Sequence, residues 1–427
     1  MPANGFRTRL LTLPVVLFGQ YSFAQQSGST NGSTESVPNE YIYSSVDQFG
    51  GPASVGGQLA EDATVAPEYR CQECQDSVAP WYEFKSRVSE DHGLQFGLDE
   101  TILYQGVGVS PGSNHAASGI FRFFGQLELL GRGTADSGSV VFKAEDRHRI
   151  GASVTPFNLG LQSGSAVLTG TTFSDFHLSL TQLFWKQYFC DKRLAVAAGR
   201  MDVTDFVDVY AMMNPQTHFL NLAFSTNPTI AVPNQGFGVV AAGMLTKQLY
   251  VQGGFADANG VATQAEFDTF FDDSEYFSYA EIGITTSQDR IYLDNVHATF
   301  WHTDARAAAG TPRGQGITVS AQKFIRDKWL PFARYGYSEG DAALMQNTFS
   351  TGLGIQCRNR DVFGIGISWG KPSNSTMSEQ FTSEVFYRLQ LTEFLAITPD
   401  VQLIADPANN PNVNELAFFG VRIRAAF

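Results

Sequence analysis

Apolar and polar residues alternate along the last stretch of the chain, ELAFFGVRIRAAF, which covers residues 415–427. Phe419, Val421 and Ile423 share one parity, and Arg422 and Arg424 share the other. In a β-strand the two parities lie on opposite faces. The stretch therefore predicts a strand with one apolar face and one face that carries two arginines.

The same alternation recurs from Gly93 to the end of the chain, for example in FRFFGQLELLG and FTSEVFYRLQL. Short links such as 190–193 alternate with long links such as 204–235, which is typical of outer-membrane barrels. No helices remain to cover the apolar faces, so we interpret lipid as their cover, and a sheet that spans lipid must be closed. The pattern predicts an all-β, antiparallel, up-and-down outer-membrane barrel of about sixteen strands over residues 93–427.

Two segments that precede this region differ from it in composition. Residues 1–24 combine two arginines, a short apolar core and a small-x-small site that ends at Ala24, which predicts a signal peptide for export. Residues 25–79 are rich in Ser, Gly and acidic residues, which predicts a flexible leader. Cys71 and Cys74 form CQEC within it, and we interpret the pair as a local disulfide, because no further zinc ligand is nearby.

Residues 80–92 predict a short amphipathic helix that precedes the strands. Pro80 is typical of a helix start, Trp81, Phe84 and Val88 recur at helical spacing, and Gly93 follows as a C-cap. We expect this helix to pack on the barrel.

Composition and charge support the same interpretation. The net charge of −14 argues against a nucleic-acid partner, which favours a basic surface. The chain holds 35 Phe and 15 Tyr, yet its mean hydropathy is only −0.12, as expected when each apolar face is matched by a polar one. The sequence contains no stretch of about 18 apolar residues, so it predicts no membrane-spanning helix.

Several segments together resemble the carbohydrate-selective porins of the OprB family, over residues from about 81 to 427. They are LAVAAGRMDVTDFVDVY, FLNLAFSTNPTIAVPNQGFGV, GGFADANG and LAITPDVQLIADPANNP, in that order. The resemblance implies a sixteen-stranded barrel in the outer membrane of a Gram-negative-type cell, passive diffusion of sugars and, often, a homotrimer. It also implies that Phe427 is a signal for the barrel-assembly machinery.

A channel for neutral sugars requires hydrogen-bonding side chains of both charge signs around a narrow lumen. Inward parity gives thirteen charged residues, and eight of them are our candidate channel residues: Arg122, Glu128, Arg200, Asp202, Arg334, Glu384, Arg388 and Arg422. The other five are Lys143, Glu145, Arg147, Glu281 and Arg424. Arg200, Asp202 and Arg334 are the strongest candidates, because they lie near the long-link ends of their strands. The link 204–235 is too apolar for an exposed loop, so we expect it to fold inward and narrow the channel; packing against a neighbouring subunit is the alternative.

Other functions remain open alternatives at this stage. The arginines also suit a general or anion-preferring porin, and alternating strands alone also suit a secreted soluble β protein. GISWG around Ser368 matches G-x-S-x-G but lies within a predicted strand, whereas that motif requires a strand–turn–helix elbow. We therefore predict no enzyme activity, no cofactor and no metal, since the acidic link 257–275 also lacks the ordered spacing of a calcium loop.

Overall fold

The computed structural model describes residues 49–63, 71–265, 268–306, 309–358 and 360–427. The predicted signal peptide, residues 1–24, lies outside the described residues, as does the first part of the predicted leader.

Sixteen antiparallel strands close into one barrel, in which each strand pairs with its neighbours along the chain and the first pairs with the last. This confirms the predicted fold class and strand number. The strands are β1 Leu94–Val107, β2 His115–Leu130, β3 Gly138–Arg149, β4 Phe176–Phe189, β5 Leu194–Met201, β6 Gly236–Met244, β7 Leu249–Asp257, β8 Tyr276–Thr285, β9 Asp294–Thr303, β10 Gly314–Lys323, β11 Trp329–Glu339, β12 Met345–Gln356, β13 Val362–Pro372, β14 Gln380–Gln390, β15 Leu395–Ala405 and β16 Glu415–Ala426.

The closing seam between β1 and β16 shows why the C-terminal strand alternates. Phe419 and Ile423 are 60 % and 41 % exposed on the outer face, whereas Arg422 and Arg424 are 1 % and 6 % exposed on the inner face. Phe427 extends the seam, because its N–H donates to the Leu98 carbonyl at 2.7 Å. The apolar faces therefore form the outside of the barrel, as membrane lipid requires.

The links at one end of the barrel have at most eight residues each, whereas five of the eight links at the other end are longer, which agrees with the predicted division except for three shorter links at the long end. We call the two ends the turn end and the loop end. At the turn end lie 131–137, 190–193, 245–248, 286–293, 324–328, 357–361 and 391–394. At the loop end lie 108–114, 150–175, 202–235, 258–275, 304–313, 340–344, 373–379 and 406–414.

The described part of the chain has five α-helices outside the strands: α1 Val55–Ala63, α2 Gln72–His92, α3 Pro156–Ser163, α4 Leu222–Ser225 and α5 Asp268–Asp272. None of the described helices combines the length and the apolar composition needed to cross a membrane. α2 lies at the turn end: its Gln75 donates to Glu393 at 2.7 Å, and Asp91 accepts from Arg132 at 2.9 Å.

The predicted start of the helix at Pro80 was wrong, because α2 begins eight residues earlier, at Gln72. Cys71 is its N-cap and accepts a hydrogen bond from the Cys74 N–H at 3.2 Å, while Pro80 lies inside the helix. The cap satisfies one of the N–H groups that a helix start leaves free, so the helix does not need Pro80 to begin.

The predicted flexible leader, residues 25–79, was also wrong where the structure describes it. Phe49, Val55 and Gln58 are almost completely buried, and α1 and the first residues of α2 are helical. The sequence of this segment has too few apolar residues to form a core of its own. It is ordered because it packs inside the barrel.

Candidate functional site

The longest link at the loop end folds into the barrel, as predicted. We call residues 202–235 the constriction loop. Its apolar residues are withdrawn from solvent: Phe206 and Tyr210 are 2 % and 1 % exposed, and Phe219 and Phe224 are fully buried. The loop connects β5 to β6 and folds back into the lumen. The lumen wall therefore shields its apolar side chains, which would contact water in an exposed loop.

An apolar patch of the wall receives the apolar side of the constriction loop. The ring of Phe219 lies 5.8 Å from Phe332 on β11 and 5.1 Å from Phe386 on β14, centroid to centroid. Both wall residues are buried and have inward parity with Arg334 and Arg388. The inner face is therefore not uniformly polar, and its apolar patch fixes where the loop packs.

Two predicted channel residues bind the backbone of the constriction loop. Glu384 accepts hydrogen bonds from the N–H groups of Leu220 at 2.6 Å and Asn221 at 2.9 Å. Arg422 donates to the carbonyls of Pro215 at 2.5 Å and His218 at 2.9 Å. These wall residues satisfy loop groups that burial would otherwise leave unpaired, which makes the two side chains anchors of the loop.

Asp208, near the start of the constriction loop, is the centre of a buried polar network. It accepts from Arg334 Nη2 at 2.7 Å and Ser320 Oγ at 2.6 Å, and lies 2.8 Å from His297 Nε2. Burial alone would raise the pKa of the Asp208 carboxyl, but Arg334 and His297 hold it well below its ordinary range. The wall therefore binds this loop residue as a carboxylate.

Arg200 and Asp202, at the loop end of β5, stabilise links rather than meet each other. Arg200 donates to the carbonyls of Leu180, Val261 and Ala262 at 2.7–2.9 Å. Asp202 caps the first turn of the constriction loop, accepting from the Thr204 N–H at 3.0 Å, and also accepts from Gln235 at 2.5 Å. Asp202 thus joins the two ends of the constriction loop, whereas Arg200 binds β4 and the link 258–275.

A row of alternating charges lies on the turn-end side of the lumen. Arg122 Nε donates to Asp99 at 2.7 Å, and Arg424 Nη2 donates to the same carboxylate at 2.8 Å. Arg424 also donates to Asp62 in α1 at 2.8 and 2.9 Å. Arg388 pairs with Glu61, the residue before Asp62. The predicted residues Arg122 and Arg388 are thus both paired with carboxylates.

Glu128 is the predicted residue that lies nearest the turn end, and it is half-buried. It lines a cavity of 680 Å³ between α1, α2 and the wall of β1 to β4, together with Tyr82, Tyr188 and Lys186. A second cavity, of 870 Å³, lies among four links at the loop end and is lined in part by Ser165, Lys371 and Asn409. The barrel therefore has a cavity large enough for water at each end.

Sequence reasoning missed several residues of the lumen network. Asp208 lies in the predicted inward loop but was not singled out, and Glu61 and Asp62 lie in the predicted flexible leader. Of these three residues, Asp208 alone has a usable signal, because a carboxylate in an apolar buried loop needs a basic partner. Asp99 has inward parity on β1 and could have been found by the alternation alone.

Other predicted positions behave as follows. Cys71 and Cys74 form a disulfide, whereas Cys190 and Cys357 are free and exposed. Ser368 lies within β13, where it is hydrogen-bonded to Ser350 at 2.9 Å, so no strand–turn–helix elbow is present there. Among the described residues, no group of three or more His, Cys, Asp or Glu side chains could hold a metal ion.

Comparison of the sequence with family models gives a match to "Carbohydrate-selective porin, OprB family" over residues 127–427. The chain is also similar to Porin AaxA of Chlamydia trachomatis serovar L2, with 21% identity over 277 residues, which cover 62% of this chain and 59% of that protein. Porin AaxA of Chlamydia muridarum is 22% identical over 256 residues, 58% of this chain and 55% of that protein. The chain thus spans less than two thirds of the length of these curated relatives.

Solved structures show the same fold. The high-pH structure of Pseudomonas putida OprB superposes with a TM-score of 0.65 at 16% identity and covers 81% of this chain and 97% of that chain. A mutant of the Rh. blastica porin superposes with a TM-score of 0.50 at 9% identity and covers 78% of this chain and all of that chain. At these identities the likeness concerns the barrel itself.

Proposed function

Because the chain belongs to the carbohydrate-selective porins of the OprB family, we propose that it lets sugars and similar small polar solutes diffuse passively through its lumen. Members of this family are channel proteins, and passive diffusion needs no catalytic group and no cofactor. The proposed solutes are neutral polyols, which offer hydroxyl groups as both donors and acceptors.

The observation that carries this proposal is the constriction loop inside a lumen whose charges are paired. Arg334 faces Asp208, Arg122 and Arg424 face Asp99, and Arg388 faces Glu61. A narrow passage lined by paired charges offers hydrogen bonds to a neutral solute without attracting one sign of ion strongly. An anion-preferring porin would instead need arginines whose charge is not balanced by carboxylates.

We also propose the setting in which this channel acts. Residues 1–24 direct export, the apolar outer face contacts outer-membrane lipid, and Phe427 is a recognition signal for barrel assembly. A homotrimer is part of the same proposal, and native mass spectrometry of the detergent-solubilised protein tests it. Replacing Phe427 with Ala should lower the amount of heat-modifiable barrel in outer-membrane fractions.

Liposome swelling with a panel of solutes tests the proposed function. Proteoliposomes should swell faster in a monosaccharide than in a disaccharide or in a charged solute of similar size. Equal rates for neutral and charged solutes of one size would instead identify a general porin, and faster entry of anions would identify an anion-preferring one. Recovery of the processed chain in periplasmic extract without detergent would identify a soluble secreted protein.

A further inference from the structure

Residues 49–63 lie inside the barrel, and we call them the luminal insert. The Gly51 N–H donates to the Asp205 carbonyl of the constriction loop at 2.7 Å, and the Gly50 N–H donates to Tyr292 Oη at 3.1 Å. The ring of Phe49 lies 5.2 Å from that of Phe206, centroid to centroid. The insert therefore contacts both the constriction loop and the turn-end wall.

The insert fits its position closely at Gly51. A Cβ atom there would lie 2.4 Å from Cγ1 of Val209 in the constriction loop, which is closer than any side chain allows. Val55, Gln58 and Glu61 form the buried face of α1, at the three-residue spacing of a helix. A glycine at the point of contact and a buried helical face indicate a packed element rather than a loosely placed leader.

The charges of the insert complement those of the wall. Residues 49–63 contain two carboxylates, Glu61 and Asp62, and no basic residue. Glu61 pairs with Arg388 on β14, and Asp62 pairs with Arg424 on β16 at 2.8 Å. The side chains of both arginines are at most 6 % exposed, so each depends on its close partner for charge compensation.

Without the insert, the same part of the wall would be basic. Arg388 would lose its carboxylate partner, while Arg122 and Arg424 would share Asp99. Arg360 is also buried close to Glu61, Asp62, Arg388 and Arg424, so this section is basic overall. The insert adds two carboxylates to it and thus offsets much of its positive charge.

We propose that the luminal insert is a selectivity element of the channel: Glu61 and Asp62 cancel the attraction of the wall arginines for anions, and the body of the insert narrows the lumen at the turn end. This inference rests on the proposed function, since it assumes that polar solutes pass through the lumen. It adds an N-terminal segment, absent from the barrel wall, to the residues that decide which solutes pass.

Charge-neutral variants of the full chain test the electrostatic part. In E61Q/D62N the two carboxylates become amides of nearly the same shape, so the packing is kept while two negative charges are lost. Asp62 accepts from Arg424 with both oxygens, and the amide in D62N can accept with only one. In planar bilayers under a salt gradient, the chloride-to-potassium permeability ratio should rise by at least about twofold, because fixed charges in a pore set its ion preference. An unchanged ratio would overturn the proposal.

A matched control removes the same two charges elsewhere at the turn end. Glu73 and Asp76 are exposed on α2, so E73Q/D76N loses one Glu and one Asp carboxylate outside the lumen. This variant should keep the wild-type permeability ratio. If the control shifted the ratio as much as E61Q/D62N does, general surface charge rather than the insert would explain the effect, and the proposal would fail.

Deletion of residues 49–63 tests the narrowing, with an expected rise in single-channel conductance of about twofold as the lumen widens. A folded deletion variant with wild-type conductance would contradict the narrowing. If this variant does not fold, the charge test on E61Q/D62N still decides the proposal. Swelling of the same wild-type proteoliposomes in sugars separates the two ideas, since a channel without sugar preference refutes the proposed function but leaves the charge test valid.

Discussion

The constriction loop and the luminal insert both lie inside the barrel and both bind wall arginines, but they are held differently. The loop joins two adjacent strands, and wall side chains bind its backbone as well as its side chains. The ion pairs of the insert with the wall come from two neighbouring carboxylates, Glu61 and Asp62. Asp62 is also the more accessible anchor, with 18 % of its side chain exposed against 1 % for Asp208.

This difference separates two roles that look alike in sequence. The loop is part of the folded barrel, because its anchors combine an apolar patch, backbone hydrogen bonds and the Asp208 network. The insert is bound to the wall mainly by two ion pairs, so loss of one carboxylate there should cost less stability than loss of Asp208 from the loop network. The following predictions test that order.

The largest effect is expected for Asp208→Ala. The change leaves Arg334, whose side chain is 3 % exposed, without its carboxylate, and should lower the free energy of unfolding by about 3–5 kcal/mol. Asp208 has a φ of 50°, a left-handed conformation that Asn tolerates better than Ala, so Asp208→Asn should cost less. Urea unfolding of both variants in detergent checks this, and equal stabilities of Asp208→Ala and the wild type would contradict the role of the network.

A smaller effect is expected for Glu61→Ala in the insert. Arg388 loses its carboxylate but keeps Gln390, which accepts from its Nη2 at 3.2 Å, so the free energy of unfolding should fall by about 2–3 kcal/mol. Urea unfolding under the same conditions gives the comparison with Asp208→Ala. A larger loss for Glu61→Ala than for Asp208→Ala would reverse the assigned order of the two regions.

The smallest effect is expected from a change of pH between 7 and 5, and the two regions respond to pH with opposite signs. Burial raises the pKa of Asp205, in the constriction loop, to about 6 from its ordinary 3.8; Lys143 opposes this shift, while Asp202 and Glu145 add to it. Asp205 therefore binds a proton more tightly in the folded state than in the unfolded state. Protonation of Asp205 stabilises the fold increasingly as the pH falls from 7 to 5, and this stabilisation is lost as the pH rises through about 6. The expected gain at pH 5 is about 1 kcal/mol.

Glu61 in the insert behaves in the opposite way. Burial alone would raise its pKa, but Arg388, His218 and Arg424 lower it from 4.5 to about 2, so its stabilisation is complete above pH 4.5 and is lost as the pH falls toward 2. Asp205→Asn should flatten the pH dependence of the unfolding midpoint between pH 7 and 5, whereas Glu61→Gln should flatten it only below 4.5. An unchanged pH profile in Asp205→Asn would contradict the assignment of that window.

The sequence predicts the barrel well because each strand repeats one local rule. Parity alone places Arg122, Arg334, Arg388 and Arg422 on the inner face, and the apolar content of the link 204–235 predicts that it folds inward. Parity also assigns Phe332 and Phe386 to the inner face, yet an apolar residue there is understandable only once Phe219 is known to pack on both.

The luminal insert could not be predicted in the same way. Its sequence is small and polar, and its position depends on Arg388 and Arg424, which lie 327 and 362 residues away along the chain. The start of α2 was predicted wrongly for a local reason, because Pro80 is typical of a helix start whereas a cysteine N-cap such as Cys71 is unusual. Neither long-range charge pairing nor an atypical cap produces a periodic pattern in the sequence, so periodicity cannot predict them.

A cross-link between the insert and the constriction loop tests the central claim most directly, namely that both segments meet inside the lumen. Gly51→Cys and Val209→Cys are combined in a chain in which Cys190 and Cys357 are replaced by Ser, because a Cβ atom at position 51 would lie against the Val209 side chain. Val209→Cys replaces the two methyl groups that this Cβ would meet with a single sulfur. Peptide mass spectrometry of the protein from oxidised outer membranes should find residues 51 and 209 joined, with no such product from either single-cysteine chain. Two free thiols in the folded, heat-modifiable barrel would contradict the claim.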